Sequence, residues 1–190
     1  GEKGWSNYGR GVAWEMERAG HRLQGMEAVT WGDLPMKAGL GSSAALEVAI
    51  AYSFQLLSNL EIEPLQLAFL CQGAENGFVG VQCGLMDQMT SAFGEKDHAL
   101  LIDCRSLDRQ LIPVPPGVDI VVSDTGKQRG LVDSQYNLRR QECWEGARLL
   151  GVPSLRSVSP KELAKRRGDL PPTIYRRVRH VVTENQRTLE

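Results

Sequence analysis

The run Pro35-Met36-Lys37-Ala38-Gly39-Leu40-Gly41-Ser42-Ser43-Ala44-Ala45 sets two glycines, two hydroxyls and two minimal side chains at the mouth of a periodic apolar segment. Glycines let the backbone approach an anion and adopt positive φ, and a helix N-terminus adds unpaired N–H groups and about half a positive charge. Together these make an anion site, with phosphate as a natural ligand. The Ser42 and Ser43 hydroxyls can donate to a phosphate oxygen or join a magnesium shell, and Ala44 and Ala45 leave room for it. The plain alternative is a serine N-cap after a glycine turn. A P-loop is excluded, because no lysine follows Gly41 ahead of the helix. Gly39-x-Gly41-x-x-Ala44 also satisfies the dinucleotide fingerprint, which wants an acidic residue about 20 positions on, closing a second strand. Glu61 and Glu63 stand near that distance but precede a proline-led helix, so this remains the weaker competitor.

The elements around the loop follow from pattern. Gln24 to Asp33, with Val29, Thr30 and Trp31, reads as a strand entering the glycine turn. Leu46, Ala49, Ile50, Phe54 and Leu57 recur at helical spacing and predict a helix over Ser42 to Ser58. Pro64 opens another helix, with Leu65, Ala68, Phe69 and Gln72 on one face, which ends near Gly77 and leaves Glu75 at its C-terminal end. A short helix is expected from about Leu85, then strands at His98 to Cys104 and Arg109 to Val114. Pro113, Pro115, Pro116 and Gly117 break the run and mark the expected domain boundary. Beyond it, Val118 to Ser123 reads as a short strand, and Ser134 to Leu150 and Pro171 to Glu190 as helices. The last helix runs to the chain end, so part of a longer protein is the expectation.

Composition narrows the class. The chain has 190 residues, 42% hydrophobic and 24% charged, ordinary for a soluble globular protein. No apolar stretch approaches the ~20 residues that span a bilayer, and no secretory or lipidation signal is present, so a cytoplasmic protein without a membrane partner is expected. Cys71, Cys83, Cys104 and Cys143 form no Cys-x-x-Cys pair or Cys/His cluster, which argues for reduced, buried thiols. Residues 1–136 carry 10 Lys/Arg against 17 Asp/Glu, and residues 137–190 carry 12 against 6. Without interleaved aromatics, Arg139, Arg140, Lys165, Arg166, Arg167, Arg176, Arg177 and Arg179 read as solvated helix faces rather than a nucleic-acid surface.

The loop resembles the second motif of the GHMP kinases, Pro-x-x-x-Gly-Leu-[Gly/Ser]-Ser-Ser-[Ala/Ser]-[Ala/Ser]. Cys83-Gly84-Leu85-Met86-Asp87-Gln88, Gly94, and Ala99 through Leu107 with its Asp103-Cys104-Arg105-Ser106 core resemble the galactokinases within that family. So do Asp124-Thr125-x-x-x-Arg129-x-Leu131 and Ser134-x-Tyr136-Asn137-x-Arg139-Arg140-x-Glu142-Cys143. The resemblance implies an α+β GHMP-kinase fold: a ribosomal-protein-like N-terminal α/β domain over residues 1–116, then the start of a C-terminal α+β domain over residues 117–190.

It also implies ATP and Mg2+ as cofactors, galactose as substrate and transfer of the γ-phosphoryl group to the anomeric hydroxyl. Asp87 would be the catalytic carboxylate, with Cys83 and Gly84 beside it against the sugar. Gly39, Leu40, Gly41, Ser42, Ser43, Ala44 and Ala45 would hold the nucleotide, joined by Trp5 and Tyr8 of a Trp-x-Asn-Tyr segment around Asn7. Ser43 and Glu75 would hold the metal. His21, His98 and His180 match no functional position. Two family segments are missing, the N-terminal sugar-site motif and the C-terminal Gly-rich motif, so the chain is expected to be inactive alone. Lys37 stands where galactokinases usually carry glycine, and a modest role is expected for it. Arabinokinase, N-acetylgalactosamine kinase and a non-catalytic galactose and ATP sensor share the scaffold, while the intact loop argues for catalysis.

Overall fold

The structure, a computed structural model, describes residues 4–36, 38–123 and 135–188. The chain comprises two compact units, Gly1–Val132 and Asp133–Glu190, a division that falls later than the Pro113 to Gly117 break. In the first unit the elements are α1 (Ser6–Arg18), α2 (Ser42–Leu57), α3 (Pro64–Ala74), a π-helical turn (Glu75–Val79), α4 (Met86–Phe93), β1 (His98–Ile102) and β2 (Arg109–Pro113). The second holds α5 (Gln135–Leu149), α6 (Pro160–Lys165) and α7 (Pro172–Arg187), with short 3-10 turns around α6.

Helix α1 was not anticipated from the sequence, yet its buried residues Tyr8, Gly11, Val12, Glu15 and Met16 fall on one helical stripe. Gly9 and Gly11, poor helix formers, mask that stripe. They are small because neighbours press close: a Cβ on Gly11 would stand 3.2 Å from Phe78 Cβ, and one on Gly9 3.0 Å from Ile50 Cδ1. Val12 and Met16 meet Val48 and Ala51 of α2, and Leu67, Leu70, Cys71 and Ala74 of α3, in one core. Pro64 occupies the first turn of α3, where its missing N–H leaves no helical bond unmade.

Strands β1 and β2 pair antiparallel from His98 opposite Pro113 to Ile102 opposite Arg109. The turn between them is built by Asp103, whose Oδ1 accepts from the Arg105 N–H at 2.7 Å and the Ser106 N–H at 3.3 Å. Leu107 takes φ +65° to close it. Two expected strands are not formed. Gln24 to Asp33 and Val118 to Ser123 carry no ladder, and Val29 (99% exposed), Trp31 (85%) and Val121 (83%) face solvent. Strand-forming residues become a strand only against a partner edge, and no neighbouring strand supplies one among the described residues.

In the second unit Ala147, Leu150, Leu155, Leu163, Leu170, Val178 and Val182 form the core. Two of the arginines expected on solvated faces knit this unit instead. Arg177 Nε donates to Glu142 Oε2 at 2.6 Å between α7 and α5, and Arg166 Nη1 donates to the Leu150 carbonyl at 2.6 Å. Cys71 is buried as expected, Cys83 and Cys143 are half-buried, and Cys104 is exposed in the hairpin turn; all four are free thiols. The α5–α7 crossing depends on Gly146, where a Cβ would overlap Val178 Cγ2 and meet Ile174 Cγ2 at 3.3 Å. Gly146→Ala is therefore expected to destabilise by about 1–3 kcal/mol, the usual range for overpacking. Denaturant unfolding followed by circular dichroism checks this, and an unchanged midpoint would refute the close crossing.

Candidate active site

The glycine loop turns into α2 through two left-handed residues, Gly39 (φ +80°) and Gly41 (φ +66°). Gly41 is the N-cap, and no side chain caps the helix; the first helical backbone bond runs from the Ala45 N–H to the Gly41 carbonyl at 3.0 Å. Ser42 and Ser43 thus stand at the first and second helical positions rather than at the cap. The N–H groups of Ser42, Ser43 and Ala44 have no intrahelical acceptor, as at any helix start. Helix α6 shows the contrast, with Ser159 capping the Glu162 N–H in a full capping box. The plain serine-cap alternative therefore fails for α2, and the free N–H groups are left for an anion.

Asp87 lies in the first turn of α4, and that turn rests against the loop. A Cβ on Gly41 would stand 3.3 Å from Asp87 Cγ and 3.5 Å from its Oδ2. Residues 46 positions apart in sequence are in this way brought side by side, a carboxylate beside a helix start without a side-chain cap. Gly41→Ala would add left-handed strain of about 1–2 kcal/mol and crowd Asp87. A weakening of ATP-analogue binding by about tenfold is the expected outcome, measured by calorimetry. Unchanged affinity would mean that the loop relaxes freely.

Beneath this surface lies a buried polar cluster. Glu47 sits one helical turn beyond Ser43 on the same side of α2 and is 0% exposed; Glu75, at the start of the π-helical turn, is 4% exposed, and Gln88 of α4 is 1% exposed. Gln88 Nε2 donates to Glu75 Oε2 at 2.8 Å and to Glu47 Oε2 at 3.3 Å, with Cys83 Sγ 3.6 Å away. The Cys83 thiol lies 3.4 Å from Asn76 Oδ1. The Ser43 hydroxyl and the Cys83 thiol lie near enough to the Glu75 carboxylate to favour its charged form.

Burial is the main force on the protonation of these groups. It raises Glu47 to about 9, helped by the charge of Glu75, so Glu47 keeps its proton at neutral pH. Burial also raises Glu75, while hydrogen bonds from Cys83, Ser43 and Gln88 act the other way. The thiols of Cys83 and Cys71 are pushed up by burial and then by the nearby carboxyls, which keeps both protonated. Tyr8 is pushed up to about 12 by burial and then by Glu75, Glu47 and Cys83, which places its phenol beside the same cluster. Its hydroxyl has no hydrogen-bond partner among the described residues.

Of the residues singled out from the sequence, Gly41, Ser43, Glu75, Cys83 and Asp87 are drawn together by these contacts. Gly84, next to Cys83, is exposed, with open space where a side chain would be. Leu40 is 38% exposed beside Gly41. Trp5 and Tyr8 part company: Trp5 is 62% exposed ahead of α1, and Tyr8 is 7% exposed inside. Lys37 lies outside the described residues, as do Asp124, Thr125, Arg129, Leu131 and Ser134. Glu47 and Gln88 were not assigned roles from the sequence. For Glu47 the signal was a carboxyl on the apolar face of α2 between Leu46 and Val48; Gln88 stood beside Asp87 in the run that resembles galactokinases, without a role of its own.

Residues 7–95 match the family described as the GHMP kinases N terminal domain. Galactokinase from Roseiflexus sp. (strain RS-1) is 51% identical over 193 aligned positions, covering 99% of this chain and 49% of that protein. The crystal structure of Lactococcus lactis galactokinase complexed with galactose superposes with a TM-score of 0.83 at 31% identity, over 99% of this chain and 50% of that one. The chain thus spans about half the length of the relatives it matches. Residues 7–95, with the glycine loop, unassisted helix start and facing aspartate, thus match the N-terminal domain of the GHMP kinases, and the chain is similar in fold to galactokinase.

Proposed function

We propose that the chain is the nucleotide- and sugar-binding portion of a galactokinase, which transfers the ATP γ-phosphoryl group to the C1 hydroxyl of α-D-galactose. The observation that carries this reading is Asp87 against Gly41. An acceptor hydroxyl in reach of the carboxylate lies at the same place as a γ-phosphate held by the loop, which is the geometry an in-line transfer needs. The N–H groups of the loop and of the first turn of α2 cradle the phosphates, and Ser42 and Ser43 add hydroxyl donors. Asp87 accepts the C1 hydroxyl proton as the new O–P bond forms and the bond to ADP breaks. Because such transfers are loose, its positioning of the hydroxyl matters as much as its basicity. Cys83 and Gly84 flank it on the sugar side. Trp5 lines the nucleotide pocket, with Tyr8 supporting it from within.

Ser43 and Glu75 fit a magnesium site. Mg2+ takes oxygen ligands and is usually held in kinases by one or two carboxylates together with substrate phosphates. Here Ser43 stands in the first turn of α2, its hydroxyl is near enough to favour the charged form of the Glu75 carboxylate, and burial leaves that carboxylate short of solvating charge. Bound there, the ion would supply charge neutralisation for the β- and γ-phosphates. The family's N- and C-terminal domains are placed on either side of about Pro116. No helix among the described residues is long and apolar enough to cross a membrane, and a cytoplasmic setting goes with ATP use.

A coupled assay on the full-length protein with galactose, arabinose and N-acetylgalactosamine tests the reading. ADP release dependent on galactose is expected. Binding of galactose and ATP without turnover would replace the enzyme by a sensor, and turnover with another sugar alone would change the substrate.

A further inference from the structure

We infer that Gln88 is a positioning residue that holds the Glu75 carboxylate in its metal-binding orientation and locks it to the helix that presents Asp87; this rests on the kinase reading above. An amide nitrogen has two hydrogens, and the two shortest Gln88 contacts are both to carboxyl groups, Glu75 at 2.8 Å and Glu47 at 3.3 Å. The reverse amide orientation would set its oxygen 2.8 Å from the Glu75 carboxylate oxygen, so that contact selects this one. One side chain therefore bridges α2, the π-helical turn and α4.

Three features make the bridge more than packing. Gln88 is 1% exposed, so its donors have no water to serve and are spent on the carboxyls. Its chain neighbour Asp87 points outward to the loop while Gln88 points inward, so the rotation of α4 that satisfies one sets the other. Glu75 begins a π-helical turn, a rare backbone form, and its carboxylate takes the Gln88 Nε2 donor at 2.8 Å. Glu47 completes the device. Wholly buried, its carboxyl takes the second Gln88 hydrogen and fixes the amide from behind. Partners behind a metal ligand typically govern affinity by about 10- to 100-fold.

The test is direct binding of Mn2+, used in place of Mg2+, to the full-length protein with a non-hydrolysable ATP analogue, read by electron paramagnetic resonance. Gln88→Met keeps the length and removes both donors; Mn2+ affinity is expected to fall about tenfold or more. Gln88→Asn, which keeps an amide too short to bridge both carboxyls, is expected to fall in the same direction, and it serves if the first variant does not fold. A lowered melting temperature with unaltered Mn2+ affinity would overturn the inference, because Gln88 would then support the fold alone. Failure of both variants to fold would overturn it in the same way. If the unsubstituted protein binds no Mn2+ with the analogue, the metal site itself is refuted and the inference falls with it.

Discussion

Asp87→Asn in the full-length protein is expected to lower kcat by about 10²- to 10⁴-fold, the usual contribution of a positioned general base, with the KM for ATP changed little. Asparagine keeps the size and one carbonyl oxygen, so the contact with Gly41 and the first turn of α4 persist, and only the proton acceptor is lost. Because Asp87 is exposed at the surface of α4, the fold should not register the change. Steady-state kinetics with galactose and ATP, beside a thermal melt, separate the two effects. A loss below tenfold would move the chemistry away from Asp87, and leave positioning by the loop and phosphate charge compensation as the main terms.

Glu75→Gln should produce the second large effect, through the metal. The substitution removes the one charged candidate ligand while keeping its shape, and it sets an amide where Gln88, Ser43 and Cys83 now donate. Loss of even an outer partner of a metal ligand costs about 10- to 100-fold in affinity, so loss of the ligand's charge should cost at least that. Half-saturating Mg2+ is expected to rise accordingly, with part of the loss in kcat recovered at high Mg2+. A kcat that falls without any change in Mg2+ dependence would assign Glu75 to the fold and not to the ion. The variant also carries a stability penalty of about 1–3 kcal/mol if a buried donor is left unmatched, which a melt would show.

Legibility in the sequence followed locality. The helix over Ser42 to Ser58 is α2 within a residue, and the helices begun by Pro64 and near Leu85 are α3 and α4, because apolar spacing and proline placement act within a few residues. The paired strands near His98 and Arg109 were legible for the same reason, with turn chemistry between them. Asp103 to Ser106, part of what makes the chain resemble galactokinases, form an Asp-built hairpin turn. Val118 to Ser123 and Gln24 to Asp33 failed as strands because composition can favour an extended backbone but cannot supply the partner edge. Helix α1 was missed because its glycines serve close approach to Ile50 and Phe78, a requirement visible only when those neighbours are in place.

By itself the sequence determined that a glycine loop opens an apolar helix, that no Walker lysine is present and that Asp87 follows a Cys-Gly-Leu-Met run. Each is settled by residues adjacent in the chain, where backbone freedom and helix-end chemistry are local. Tertiary structure alone decided that the cap is Gly41 and not a serine, that Asp87 faces it, and that Tyr8 and Trp5 go to different environments. It also decided that Glu47, Glu75 and Gln88 share one dry cluster. Burial and charge pairing depend on which distant segments exclude water from one another, and no local pattern encodes that.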